Sequence, residues 1–271
     1  MQGIVFECSH CHQEYSHAAP KCSKCGWIAS VRLQPKGAAR SSGYQPASVV
    51  LSDAKAMPAK VPCGIALVDE LLKGGVPKGS GLICKGKPGG GKSTIIRQIS
   101  AGMGEMTGKQ VLYQSGEEAA YQVRAQIERL GLNPARINFA HTCDLAIIEP
   151  EIMELRPCCF VLDSLQKLYD TRDDTPLTPS GQLRAFKRLL LLLQRTQVPG
   201  LFISRMNKRG EVQGSIDYEF EPDIVWELQQ PHGRDHPKRV LEQEKNRFAG
   251  TGKLALRMTG TGLVPEAKEE E

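Results

Sequence analysis

The sequence of 271 residues has no apolar run long enough to cross a bilayer. The longest, Leu189 to Leu193, is flanked by Arg188 and Arg195, and the first residues lack the charged-then-apolar pattern of a secretory leader. A cytoplasmic location with no membrane partner is therefore expected. A large excess of one charge is also missing: the net charge of +5 permits nucleic-acid binding without requiring it. A hydrophobic fraction of 40% is ordinary for a folded soluble protein, and the length accommodates one large domain with a small appendage.

Cysteine is present, in an odd number of nine, and unevenly placed. Cytosolic conditions argue against disulfides. Cys63, Cys84, Cys143, Cys158 and Cys159 are scattered and read as apolar filler, whereas Cys8-x-x-Cys11 and Cys22-x-x-Cys25 are two knuckles joined by a short loop. That spacing closes a tetrahedral site around Zn²⁺. Four thiolates leave no open position, so the zinc is expected to be structural, in a segment too short to fold without it. A redox dithiol is the competing reading, but such a motif is a single Cys-x-x-Cys. His10, His12 and His17 are spare ligands beside a shell that cysteines already fill. The ribbon is placed at residues 1–33, and a stretch rich in Pro, Gly, Ala, Ser and basic residues at 34–60 reads as a linker. Ribbons on linkers dock nucleic acid or a protein partner, such as a recombinase or replication protein, and nothing in the residues chooses between them.

Gly86-Lys87-Pro88-Gly89-Gly90-Gly91-Lys92-Ser93, followed by Thr94, is a complete G-x-x-x-x-G-K-[ST] string. Glycines let backbone N–H groups curl around a β-phosphate, Lys92 reaches the β- and γ-phosphates, and Ser93 ligates Mg²⁺. The apolar segment Gly81–Lys85 before it reads as a strand, and Ser93–Ile99 after it as a helix whose N-terminus faces the anion. ATP with Mg²⁺ is the expected ligand.

Downstream, strand and helix patterns alternate, which predicts an α/β fold with a mostly parallel central sheet. Strands are expected at Val111–Ser115, Arg136–Ala140, Cys158–Asp163, Val198–Ser204 and Asp223–Leu228, with helices carrying Val123, Ile127 and Leu130, and spanning Gln182–Thr196. Arg239–Phe248 and Lys253–Met258 suggest a closing antiparallel pair. The apolar run ending in Asp163 has the Walker B pattern, delivering a carboxylate to the Mg²⁺ hydration shell opposite Ser93. Glu117 and Glu118 follow the strand Val111–Ser115, and either one is placed to orient the attacking water.

Taken together these residues resemble the RadA/Sms family of RecA-like recombination ATPases. The resemblance covers the ribbon with Trp27 after its last cysteine, Gly64 to Pro77 leading into the P-loop, Ser115-Gly116-Glu117-Glu118, Leu162-Asp163-Ser164-Leu165-Gln166, and Lys245-Asn246-Arg247-Phe248. Order and combination make it specific, because no single motif would select RadA over KaiC or the replicative helicases. The resemblance implies a RecA-like core over 61–265, a homo-oligomeric ring, expected to be hexameric, and ATP at subunit interfaces. Lys245 and Arg247 would then act on the neighbour's γ-phosphate, and two loops carrying Arg172, and Lys208 with Arg209, would line a channel for single-stranded DNA. The implied activity is DNA-dependent ATP hydrolysis that drives translocation and branch migration. The alternatives are a replicative-type helicase and a KaiC-like signalling ATPase.

Departures are as specific as matches. Family members normally continue into a Lon-protease-like domain, whereas this sequence reaches Gly262–Pro265 and an acidic tail at 266–271. Arg205-Met206-Asn207-Lys208 stands where the family has His-x-Thr-Lys, and Tyr218-Glu219-Phe220 replaces Leu-Glu-His. An extra Ala249 precedes Gly250. These changes bear on coupling and rate more than on ATP binding.

Overall fold

The computed structural model describes residues 4–8, 13–15, 23–24, 31–35, 56–206, 217–232 and 236–266. The chain divides into two units, Met1–Lys55 and Ala56–Glu271. In the first, β1 (Ile4–Cys8) pairs antiparallel with both β2 (Glu14–Tyr15) and β3 (Val31–Pro35). Cys8 is the last residue of β1. The other three expected zinc ligands, Cys11, Cys22 and Cys25, lie outside the described residues, as does most of the expected linker at 34–60.

The second unit begins with β4 (Lys60–Val61), α1 (Ala66–Leu71) and β5 (Val76–Pro77), in which β4 and β5 form a small antiparallel pair. There follow β6 (Gly81–Gly86), α2 (Lys92–Thr107), β7 (Val111–Ser115), α3 (Ala120–Arg129), β8 (Ile137–Ala140) and α4 (Leu145–Leu155). The chain continues through β9 (Cys159–Asp163), α5 (Pro179–Thr196), β10 (Gly200–Ile203), α6 (Asp217–Phe220) and β11 (Ile224–Gln229). It closes with β12 (Lys238–Asn246), β13 (Gly252–Thr259) and β14 (Gly262–Pro265).

Among the described residues nine strands make one sheet, in the order β14-β13-β12-β11-β6-β10-β9-β7-β8. From β11 to β8 every pairing is parallel, and from β11 to β14 every pairing is antiparallel. Alternate residues of the central strands serve two cores, as a two-residue side-chain period requires. Leu82, Cys84, Cys159 and Val161 pack with Ile95, Ile96 and Ile99 of α2 on one face. Ile83, Phe160 and Leu162 pack with Ile148 of α4 and Phe186 and Leu189 of α5 on the other. Phe186 meets Phe202 edge-on, with ring centroids 5.1 Å apart. The five scattered cysteines are all buried, and burial pushes the thiols of Cys63, Cys84 and Cys143 up to about 12.

Two local differences from the sequence reading have clear causes. Strand β8 starts at Ile137 rather than Arg136, because Pro134–Arg136 forms a 3₁₀ turn capped by the Asn133 side chain, which accepts from Ala135 N at 2.9 Å. Helix α4 carries Pro150 in its interior, which disguises it in the sequence. Its start is secured by Asp144, whose carboxylate accepts from Ala146 N at 3.0 Å.

Gly102 in α2 marks how tightly the nucleotide-loop helix is seated. A Cβ at that position would lie 1.9 Å from the carbonyl oxygen of Cys63. Gly102→Ala should therefore lower stability by about 1–3 kcal/mol despite alanine's better helix propensity. The check is the urea unfolding midpoint, which should fall with little change in slope.

Candidate nucleotide-binding site

The loop between β6 and α2 lies at the carboxyl edge of the parallel strands, where open α/β sheets place their ligands. Gly89 and Gly91 take φ of +77° and +104°, conformations that other residues adopt only with strain. A Cβ on Gly91 would also strike the Met258 side chain at 2.4 Å. The loop is held from outside by residues that no motif marks. Arg239 Nε of β12 donates to the Gly90 carbonyl at 3.0 Å, and Gln230 Nε2 donates to that of Gly89 at 3.2 Å.

Lys92 is 7% exposed, and its Nζ donates to the carbonyls of Gly86 at 2.8 Å and Lys87 at 2.9 Å. Burial lowers its pKa, against the raising influence of Cys84 and Asp163. The ammonium thus lies folded into the cradle, with carbonyl contacts that phosphate oxygens can replace.

Asp163, at the end of β9, accepts from Ser93 Oγ at 3.0 Å and from Tyr113 Oη at 3.2 Å. Burial pushes its carboxyl up, with the Arg97 guanidinium at 3.8 Å and the Ser93 hydrogen bond opposing. Ser93 and Asp163 thus lie within hydrogen-bonding distance of each other. Hydroxyl and carboxylate oxygens are the hard donors that Mg²⁺ takes, so this pair fits a magnesium-bound triphosphate.

The two glutamates after β7 go to different places. Ser115 Oγ accepts from the backbone N–H of Glu117 at 3.2 Å and of Glu118 at 3.0 Å, which fixes the turn. Glu118 is drawn to Arg97 of α2, to which it is ion-paired, and accepts from Gln126 Nε2 at 3.0 Å. Arg97 is 1% exposed; it also donates to Gln126 and lies over the Tyr113 ring, 5.7 Å from its centroid. Glu117 instead accepts from Ser164 Oγ at 2.9 Å, one residue beyond Asp163, and pairs with Arg205 at the end of β10. Glu117 thus lies beside Ser164, the residue after Asp163, whereas Glu118, whose charge also reaches Asp163, is engaged by Arg97.

Lys245 and Arg247 are at the opposite edge of the sheet. The end of β12 pairs with the start of β11, Asn246 against Ile224, and Ile224 is level with Leu82, whereas Leu228 is level with Gly86. Lys245 Nζ donates to the carbonyls of Phe220 and Pro222, both at 2.7 Å, and Arg247 donates to Asp223 at 3.2 Å. Neither side chain joins the loop of its own chain. Arg172 is held by carboxylates, donating to Asp170 at 2.8 and 3.1 Å and to Glu149 at 2.7 Å. Burial pushes Asp170 up, but hydrogen bonds from Arg172 outweigh it and hold the carboxyl below its usual range. Lys208 and Arg209 lie outside the described residues.

Arg97, Arg239 and Tyr113 were not found from the sequence. An arginine one helical turn after the P-loop serine carries a weak signal, since such a position on a core-facing helix demands a buried partner; the other two carry none.

Comparison with known proteins agrees with this geometry. A family model described as the KaiC ATPase matches residues 61–151. The chain is 33% identical over 207 residues to the DNA repair protein RadA of Aquifex aeolicus, covering 75% of this chain and 46% of that protein. It is 30% identical over 278 residues to the RadA of Listeria monocytogenes, covering 98% and 60%, and 29% identical over 262 residues to that of Bacillus subtilis, covering 93% and 57%. The chain thus spans about half the length of the curated relatives it matches. Among the described residues no helix is long and apolar enough to cross a membrane.

The Arg97 cluster generates a stability prediction. Arg97→Met should cost about 2–3 kcal/mol, below the full cost of breaking a buried pair because the Glu118 side chain is 27% exposed and can rehydrate. Chemical denaturation of the nucleotide-free chain measures it.

Proposed function

We propose that this chain, a homologue of the RadA proteins, is a DNA-dependent ATPase that binds MgATP between subunits of a hexameric ring. Hydrolysis would drive movement on single-stranded DNA and promote branch migration in recombination and repair. The observation that carries this reading is the division of the catalytic groups. The P-loop, Asp163 and Glu117 occupy one edge of the sheet, while Lys245 and Arg247 occupy the other. Those two cations complete a site only if they serve a neighbouring subunit.

In this reading the backbone of Gly86–Gly91, with Thr94, cradles the phosphates, and Lys92 leaves the carbonyls of Gly86 and Lys87 for phosphate oxygens. Ser93 and Asp163 would hold magnesium, which neutralises charge on the β- and γ-phosphates. Glu117 orients and deprotonates the attacking water, because it stands next to Ser164 and is free of the Arg97 cluster that occupies Glu118. Arg205 is paired with Glu117 here, and Lys208 and Arg209, which follow it in sequence, would contact DNA phosphates. Arg172 would contact DNA only by exchanging its carboxylate partners. The ribbon would hold Zn²⁺ through Cys8, Cys11, Cys22 and Cys25 and dock DNA or a recombination or replication protein.

ATP turnover with and without single-stranded DNA tests the reading. Single-stranded DNA should raise turnover, Lys92→Ala should abolish it, and Glu117→Gln should lower kcat by roughly a hundredfold or more with ATP affinity kept, far beyond the effect of Glu118→Gln. Slow turnover that ignores DNA would favour the KaiC-like signalling reading, for which the family match at 61–151 speaks. Purified protein should also carry one zinc per chain, lost on Cys22→Ser; a folded amino-terminal unit without zinc would remove the metal from the proposal.

A further inference from the structure

We propose that Lys85 is a positioning residue that ties the nucleotide-loop strand of one subunit to the Lys245–Arg247 segment it presents to the next. This inference rests on the intersubunit reading above and names the residue that connects adjacent sites.

Lys85 is the residue before Gly86, whose carbonyl accepts from Lys92. Apart from Lys92, it is the only lysine below 9% exposure among the described residues, at 5%. An ammonium removed from water needs carboxylate partners, and two reach it from elements distant in sequence. Its Nζ lies 3.0 Å from Glu219 Oε2 of α6 and 2.9 Å from Glu244 Oε2 of β12. Burial alone would lower its pKa, yet the hydrogen bonds it donates to Glu244 and Glu219 reverse the balance and raise it, so the cation stays charged.

A bulge aims Glu244 at this lysine. Val225 pairs with Lys245 and Trp226 with Gln243, so the ladder skips Glu244. A bulge of this kind re-aims a side chain and bends its strand. The residue after Glu244 is Lys245, whose ammonium is fastened to the carbonyls of Phe220 and Pro222, immediately beyond Glu219. The contacts close a circuit: β6 to α6 and β12 through Lys85, and β12 back to the end of α6 through Lys245. Lys85 thus holds Glu244, the residue before Lys245, and Glu219, the residue before the first carbonyl that Lys245 grips, from a position one peptide away from the phosphate cradle.

The two carboxylates are partly exposed, at 22% and 31%, so they can hydrate when the lysine is removed and the variant is expected to fold. Lys85→Met should retain binding of a fluorescent ATP analogue, while kcat falls roughly tenfold to a hundredfold, the range for a misplaced catalytic group. Lys85→Arg should recover part of it. Subunit mixing then locates the defect. Lys92→Ala subunits cannot turn over but present intact cations, so adding them to Lys85→Met subunits should restore turnover several-fold. The reference is the mixture of Lys92→Ala with Arg247→Ala. If that reference fails to complement, the intersubunit reading is wrong and the inference falls with it. If the reference complements and Lys85→Met does not, or if Lys85→Met alone turns over like the wild type, the positioning role is wrong while the intersubunit reading stands. Should Lys85→Met fail to fold, Glu244→Gln replaces it in the same mixtures with the same outcomes deciding.

Discussion

Charge removed from water is the constraint on which this site depends. Lys85, Lys92, Arg97 and Asp163 are each 7% exposed or less, and none of them is tolerable in a protein interior without close partners of opposite charge or aligned dipoles. Satisfying them decides what packs around the loop. Arg97 draws in α3 and the turn before it through Gln126 and Glu118, and Asp163 draws in Tyr113 and Ser93. Lys85 draws in α6 and the bulge of β12. Lys92 alone has only carbonyls of its own loop, and is therefore the group most readily transferred to an incoming phosphate.

The same requirement separates two neighbouring glutamates of identical chemistry. Ser115 fixes the turn on which both stand, and the buried guanidinium of Arg97 attracts the second into a packed cluster. The first is left beside Ser164 and paired with the half-exposed Arg205. What each glutamate is bound to sets the two apart.

Sheet topology imposes the second constraint. Because β11 runs parallel to β6 and β12 antiparallel to β11, the end of β12 is carried away from the phosphate loop of its own chain. Cations placed there are remote from their own nucleotide, and the bulge at Glu244 is the point where that remote end is anchored back to the loop strand. The separation of Lys245 and Arg247 from the phosphate loop of their own chain is a direct result of strand direction.

The phosphate loop, the carboxylate ending β9 and the alternation that builds a parallel sheet were legible in the sequence, since each depends on residues close together or on a local period: glycines where the backbone must turn, apolar residues at every other place, an acid at a strand end. Helix α4 was hidden by Pro150, which propensity weighs against a helix although its packing against the sheet outweighs that cost. The sequence by itself determined that a triphosphate site exists and which strand and helix frame it. Only the tertiary structure decided which glutamate Arg97 engages and which lies beside Ser164, why Arg97, Arg239 and Lys85 are buried, and at which edge Lys245 and Arg247 emerge. Those outcomes depend on partners far apart in the chain, brought together by strand order, and on the cost of leaving a charge in the interior without one.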